Sequence, residues 1–133
     1  MKVRYLRLDE VLRIHELLMR AEGQPSALMD AGKLESAILR PAAQAFGADF
    51  HPSLAEKAAV LIQGIVIAHP FVDGNKRLGL GCMLVFLAMN NIPLTADPEP
   101  LYEFVISVST GELRRTEDIA VHLRLLFAPH LGA

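Results

Sequence analysis

Nine consecutive residues, His69-Pro70-Phe71-Val72-Asp73-Gly74-Asn75-Lys76-Arg77, hold most of the chemistry this chain can offer. Lys76 and Arg77 open what reads as a helix, where adjacent cations oppose the helix dipole by about 0.3–1 kcal/mol each. A bound anion would offset that. The first turn of a helix presents unpaired backbone N–H groups, and Gly74 is expected to let a ligand approach them. Arg77 adds a planar fork suited to phosphate oxygens. Gly74, Asn75, Lys76 and Arg77 therefore read as a phosphate cradle, and two cations converging on one helix end suit a ligand with more than one phosphate. Asp73, just before it, supplies the single carboxylate that Mg²⁺ commonly takes alongside phosphate oxygens and water. His69, at the end of the preceding helix, is placed to take the proton of an incoming hydroxyl. A C-terminal helix cap is the plain alternative for His69, and the cradle that follows favours the base. Phe71, the large apolar residue of the turn, reads as the plug that seats it in the core.

The elements that must position this turn read almost entirely as helix. Asp9 is expected to cap a first helix, with Val11, Leu12, Ile14, Leu17 and Leu18 on one face and Gly23 as its stop. Asp30 opens a second helix through Leu34, Ala37 and Ile38, which ends near Arg40-Pro41. Residues 42–52 lack a helical period and read as a turn or short hairpin with Phe46 and Phe50 at its tips. Ser53 and Glu56 then form a capping box. The helix they start runs to about Ala68, and a second from about Asn75 to Met89; both are apolar almost all round, as central helices of a bundle are. Asp97-Pro98 and Thr116-Glu117-Asp118 open the last two. The expectation is one all-α domain over residues 1–133, with about six helices, two of them central.

The 133 residues are 52% hydrophobic with a net charge of -2, which supports a core and argues against binding nucleic acid by bulk electrostatics. The lone cysteine, Cys82, leaves no internal disulfide and sits in an apolar run as a core thiol. No apolar stretch reaches the roughly 20 residues a bilayer needs, and the N-terminus does not read as a signal peptide. A cytoplasmic protein without membrane attachment is expected.

The segment His69–Arg77 resembles the Fic/Doc signature HxFx[D/E][G/A]N[G/K]R, and the resemblance extends over roughly residues 5 to 95. Leu34–Pro41 and Ser53–Ala58 are similar to the short death-on-curing (Doc) branch. The resemblance implies a Fic-fold bundle, and a transfer of part of a nucleotide to a target hydroxyl. It implies His69 as general base, Asp73 as Mg²⁺ ligand, and Gly74, Asn75, Lys76 and Arg77 as the phosphate-holding loop. It also places a target-docking flap at residues 42–52.

Lys76 stands where adenylylating members have glycine, and Leu80 where they have a second arginine. In Doc-like toxins with this lysine the nucleotide lies reversed. The resemblance thus implies transfer of the γ-phosphate of ATP to a protein target, namely a threonine of elongation factor Tu, which blocks translation. Adenylylation is the second reading, and a catalytically silent module that binds a nucleotide or an antitoxin is the third. Only Glu99 has a serine or threonine four residues before it, and Pro100 follows it where the self-inhibiting motif of some Fic proteins has glycine or asparagine, so that motif is missing. Restraint is then expected from a separate antitoxin.

Overall fold

Six helices and one small hairpin make up residues 2–132, the part of the chain that this computed structural model describes. In order they are α1 (Leu8–Ala21), α2 (Ala31–Leu39), a 3-10 turn (Arg40–Ala42), β1 (Gln44–Ala45), β2 (Ala48–Asp49), α3 (Leu54–Ala68), α4 (Asn75–Met89), α5 (Pro98–Thr110) and α6 (Thr116–Leu126). The all-α bundle expected from the sequence is the one observed. No helix among the described residues is long and apolar enough to cross a membrane.

The start and stop signals act much as their residue types dictate, with two differences. Asp30 accepts the Lys33 N–H at 3.0 Å and caps α2, and Gly23 ends α1 with a positive φ of 68°. However, α1 begins two residues earlier than Asp9 would set, at Leu8 after Arg7, whose backbone N–H donates to the Glu10 carboxylate at 2.8 Å. At α3, Ser53 Oγ accepts the Glu56 N–H at 3.1 Å, but the Glu56 carboxylate returns to the serine hydroxyl at 2.7 Å. The capping box therefore closes through side chains, and Arg124 of α6 donates to the same hydroxyl at 3.1 Å.

Helix α3 is the centre of the bundle, packed against α2, α4, α5 and α6. Val60, Leu61, Ile62 and Ile65 are buried to within 1%, each worth about 1.5–3 kcal/mol over an exposed position. Helix α4 is buried more one-sidedly than an all-round apolar helix suggests. Its stripe Leu78, Gly79, Cys82, Met83, Phe86 and Leu87 faces inward, and α1 covers part of the rest. Burial pushes the Cys82 thiol up to about 12, as befits a core thiol. In α1 the inward row is Val11, His15 and Met19, while Leu17 remains 47% exposed. The expected apolar face of α1 is thus rotated, because the chain turns His15 towards the loop after α3.

Close approach of α3 and α4 depends on Gly79. A Cβ there would lie 2.7 Å from Val66 Cγ2 and 3.4 Å from Ile62 Cγ1, both on stiff β-branched side chains. At Gly81 an added Cβ would meet nothing closer than 3.5 Å. Overpacking should outweigh the gain in helix propensity for Gly79→Ala, destabilising the fold by about 1–2 kcal/mol. Gly81→Ala should be neutral or stabilising by up to about 1 kcal/mol. Urea unfolding of the two variants checks the contrast, and equal midpoints would refute it.

Candidate active site

Helix α3 ends at His69, whose φ of 53° and ψ of 54° are left-handed, and its N–H bonds to Ile65 O at 3.2 Å. A side chain with a Cβ adopts this conformation at a cost of about 1–2 kcal/mol, so the surroundings must hold it. They do so through backbone pairing. Pro70 O accepts the N–H groups of Met29 at 2.8 Å and Asp30 at 3.0 Å, and Val72 N–H donates to Ala27 O at 3.0 Å. Phe71 pairs with Leu28 in an isolated antiparallel bridge. The turn is strapped to the segment that leads into α2.

Phe71 is 1% exposed and plugs the loop into the core, as expected. Both of its backbone polar groups are held by one side chain. The structure shows the Asn75 amide donating to Phe71 O at 2.9 Å and accepting from Phe71 N–H at 3.0 Å. Asn75 is itself buried, so its side chain fastens the loop, and what it offers to a ligand is its backbone N–H.

His15, buried in α1 and outside the nine-residue segment, lies at the base of this loop. Its ring stacks on Phe71 with centroids 3.6 Å apart and planes 16° from parallel. Its Nε2 lies 2.9 Å from Asp73 O, so Nε2 carries a proton, because a carbonyl oxygen only accepts. Its Nδ1 meets the Ser26 hydroxyl at 2.6 Å. Nothing in the spacing of His15 and Asp73 signals this contact, since they are far apart in the chain and meet only through packing.

Gly74 has a φ of 80° and caps α4 without any side-chain hydrogen bond. A Cβ on it would meet Met19 Sδ at 2.6 Å and His15 Nε2 at 3.2 Å. The approach of α1 therefore gives a second reason for glycine here, beside the ligand access expected from the sequence. The first α4 bond is Leu78 N–H to Gly74 O at 2.8 Å, which leaves the N–H groups of Asn75, Lys76 and Arg77 without intrahelical partners. Asp73 Oδ1 accepts the Gly74 N–H at 2.8 Å, so the carboxylate is oriented while Oδ2 stays open.

His69, Asp73, Gly74, Asn75, Lys76 and Arg77 all border one cleft of about 790 Å³. Phe71 alone among the singled-out residues lies beneath it. Helix α5 contributes the opposite wall through Tyr102, Val105, Ile106, Ser109 and Thr110. These five recur at helical spacing on one face of α5. Leu80 also lines the cleft, an apolar residue one turn into α4.

Arg77 is engaged by a residue that motif reading passes over. Its Nη1 lies 2.9 Å from Glu22 Oε1, at the end of α1, with both side chains 51% exposed. A phosphate oxygen bound by that guanidinium competes with Glu22 for its charge. Lys76 forms no ion pair among the described residues and is exposed on the same rim.

Removing the Asn75 amide would leave both Phe71 backbone groups buried and unpaired. Asn75→Ala should therefore destabilise the protein by about 2–4 kcal/mol, at about 1–3 kcal/mol for each orphaned group with partial relief by water. Thermal unfolding checks it, and a loss below about 0.5 kcal/mol would show that the clasp is dispensable.

A "Toxin Doc" of Mycolicibacterium smegmatis (strain ATCC 700084 / mc(2)155) is 38% identical over 93 residues, 70% of this chain and 69% of the relative. A "Protein kinase doc" of Escherichia phage P1 is 27% identical over 125 residues, 94% of this chain and 97% of the relative. The Fic/DOC family pattern matches residues 5–87, from the approach to α1 almost to the end of α4. That span takes in α1, α2, α3 and nearly all of α4 as well as the whole of His69–Arg77, and the chain belongs to the Fic/DOC family.

Proposed function

We propose that this protein is a Doc-like toxin that transfers the γ-phosphate of ATP to a hydroxyl of a target protein, with a threonine of elongation factor Tu as the target the family resemblance implies. One observation carries the reading. The left-handed turn at His69, the oriented carboxylate of Asp73 and the open N-terminus of α4 with Lys76 and Arg77 border a single cleft. Lys76 and the apolar Leu80 support γ-phosphate over AMP transfer, since the motif of adenylylating members has glycine and arginine at those places. The phage P1 relative, named a protein kinase, aligns along 94% of this chain.

In this reading the target hydroxyl oxygen attacks the γ-phosphorus while His69 takes its proton. The bond between that phosphorus and the β–γ bridging oxygen breaks, and ADP leaves. The N–H groups at the start of α4, with Lys76 and Arg77, hold phosphate oxygens as charge shifts towards the leaving group. The donor set suits Mg²⁺, because Asp73 keeps one carboxylate oxygen open in front of the cradle and the ion ordinarily takes few protein ligands. Bound there by Asp73, it would neutralise charge on the phosphates. An antitoxin partner accompanies the reading, given relatives that include a named toxin, and the cytoplasm is where such a target resides.

The test is a bacterial lysate incubated with purified protein, Mg²⁺ and ATP labelled at the α- or the γ-position, beside a His69→Ala control. A γ-labelled band near the mass of elongation factor Tu, lost in the variant, is the expected result. An α-labelled band would replace the proposal with adenylylation, and no band with either label would leave a binding module.

Glu22 supplies a second expectation. An ion pair this exposed is worth about 0–1 kcal/mol, so Glu22→Gln should tighten ATP binding by up to about fivefold. Isothermal titration of both proteins with ATP and Mg²⁺ checks it, and weaker binding by the variant would show that Glu22 helps to hold the nucleotide.

A further inference from the structure

Lys57 lies in the first half of α3, in a neighbourhood of alanine, valine and leucine, and is 0% exposed. A buried ammonium is costly unless every proton finds an acceptor. Here all three do. Lys57 Nζ donates to Pro41 O at 3.3 Å, Asp49 Oδ2 at 3.1 Å and His51 O at 2.5 Å, and it lies 5.8 Å from the centre of the Tyr5 ring. The acceptors share one feature: they come from the entry, the second strand and the exit of the hairpin β1–β2.

The hairpin needs such an anchor. Its strands are two residues each, and an isolated two-stranded hairpin is at best marginal in water. Its large side chains do not hold it down, for Phe46 is fully exposed at the turn and Phe50 is 64% exposed. Apart from the strand pairing, it has the Phe50 N–H to Ala43 O bond at 2.9 Å and the Gln44 to Asp49 side-chain bond at 3.0 Å. Gln44 and then Lys57 hold the Asp49 carboxyl below the usual carboxylate range, in keeping with a permanently paired charge. Two aromatic side chains kept in water on a firmly tied segment suit a contact surface better than a loop tip.

We propose that Lys57 is a positioning residue for the protein substrate: it ties the β1–β2 hairpin to α3, the same rigid helix whose end carries His69. Twelve residues of α-helix separate the two, roughly 18 Å at 1.5 Å per residue, so the anchor and the base hold a constant separation. This rests on the reading of the cleft as one that phosphorylates a protein hydroxyl. A target segment lying against the hairpin is then presented to His69 in register, and loosening the hairpin loses that presentation without touching the nucleotide.

The experiment compares Lys57→Met, which keeps the buried stem, with Asp49→Ala, which removes one acceptor from the outside. Hydrogen exchange at the Phe50 amide, affinity for ATP with Mg²⁺, and KM for the protein target are measured on each. Both variants should lose Phe50 protection and raise target KM, by about tenfold for Lys57→Met and less for Asp49→Ala, with ATP affinity within about twofold of the parent. Unchanged protection, or lost protection with unchanged target KM, would overturn the proposal. Should Lys57→Met unfold globally by circular dichroism, Asp49→Ala decides alone on the same criteria. If the parent modifies no target, the proposed function fails and the substrate role with it. The exchange arm then still reports on the anchor itself, and full Phe50 protection in both variants would remove that too.

Discussion

A loop of charged residues at the surface keeps one conformation here because its single aromatic residue is buried and bonded from both sides. Phe71 sits under the His15 ring, and the Asn75 amide satisfies its N–H and its C=O together. Buried backbone polar groups are costly when unpaired, so no nearby alternative path for the chain is as low in energy. His69 on one side and the start of α4 on the other are therefore fixed by a residue that touches no ligand. The left-handed turn at His69 is tolerated for the same reason: the strap from Ala27 to Asp30 holds Pro70 and Val72 on either side of Phe71.

The electrostatics of the cleft follow from that arrangement. Helix α4 starts without a side-chain cap, which leaves its N-terminal field and N–H groups directed into the cleft where Lys76 and Arg77 also stand. All three features favour an anion. Glu22 partly balances them from α1, placing a carboxylate on Arg77. Glu22 therefore leaves the start of α4 and Lys76 as the part of this positive field without a carboxylate partner among the described residues.

The same helix that ends at His69 also organises the rest of the bundle. Helix α3 is buried so completely that its two polar interior residues need partners. Gln63 donates to Arg114 O, and Lys57 reaches the segment around the hairpin. Each ties a peripheral element to the central helix, so elements with little apolar contact of their own still keep a defined place relative to His69.

Much of this was legible locally. The candidate segment stands out because Lys-Arg at a helix start opposes the helix dipole, a cost that a bound anion would offset. The central place of α3 follows from its lack of a polar face, and the hairpin from Phe46-Gly47 between two non-helical runs. What the chain could not disclose alone are contacts between residues distant in sequence. His15 on Asp73, Glu22 on Arg77, Met19 against Gly74 and the α5 wall of the cleft all arise when helices pack, and packing depends on shapes presented by several elements at once. Periodicity along each segment determined which residues form helices, and residue types at one helix start marked the nine that could do chemistry. Tertiary structure decided which partners those nine meet, because side-chain reach and burial depend on distances through space, to which spacing along the chain carries no fixed relation.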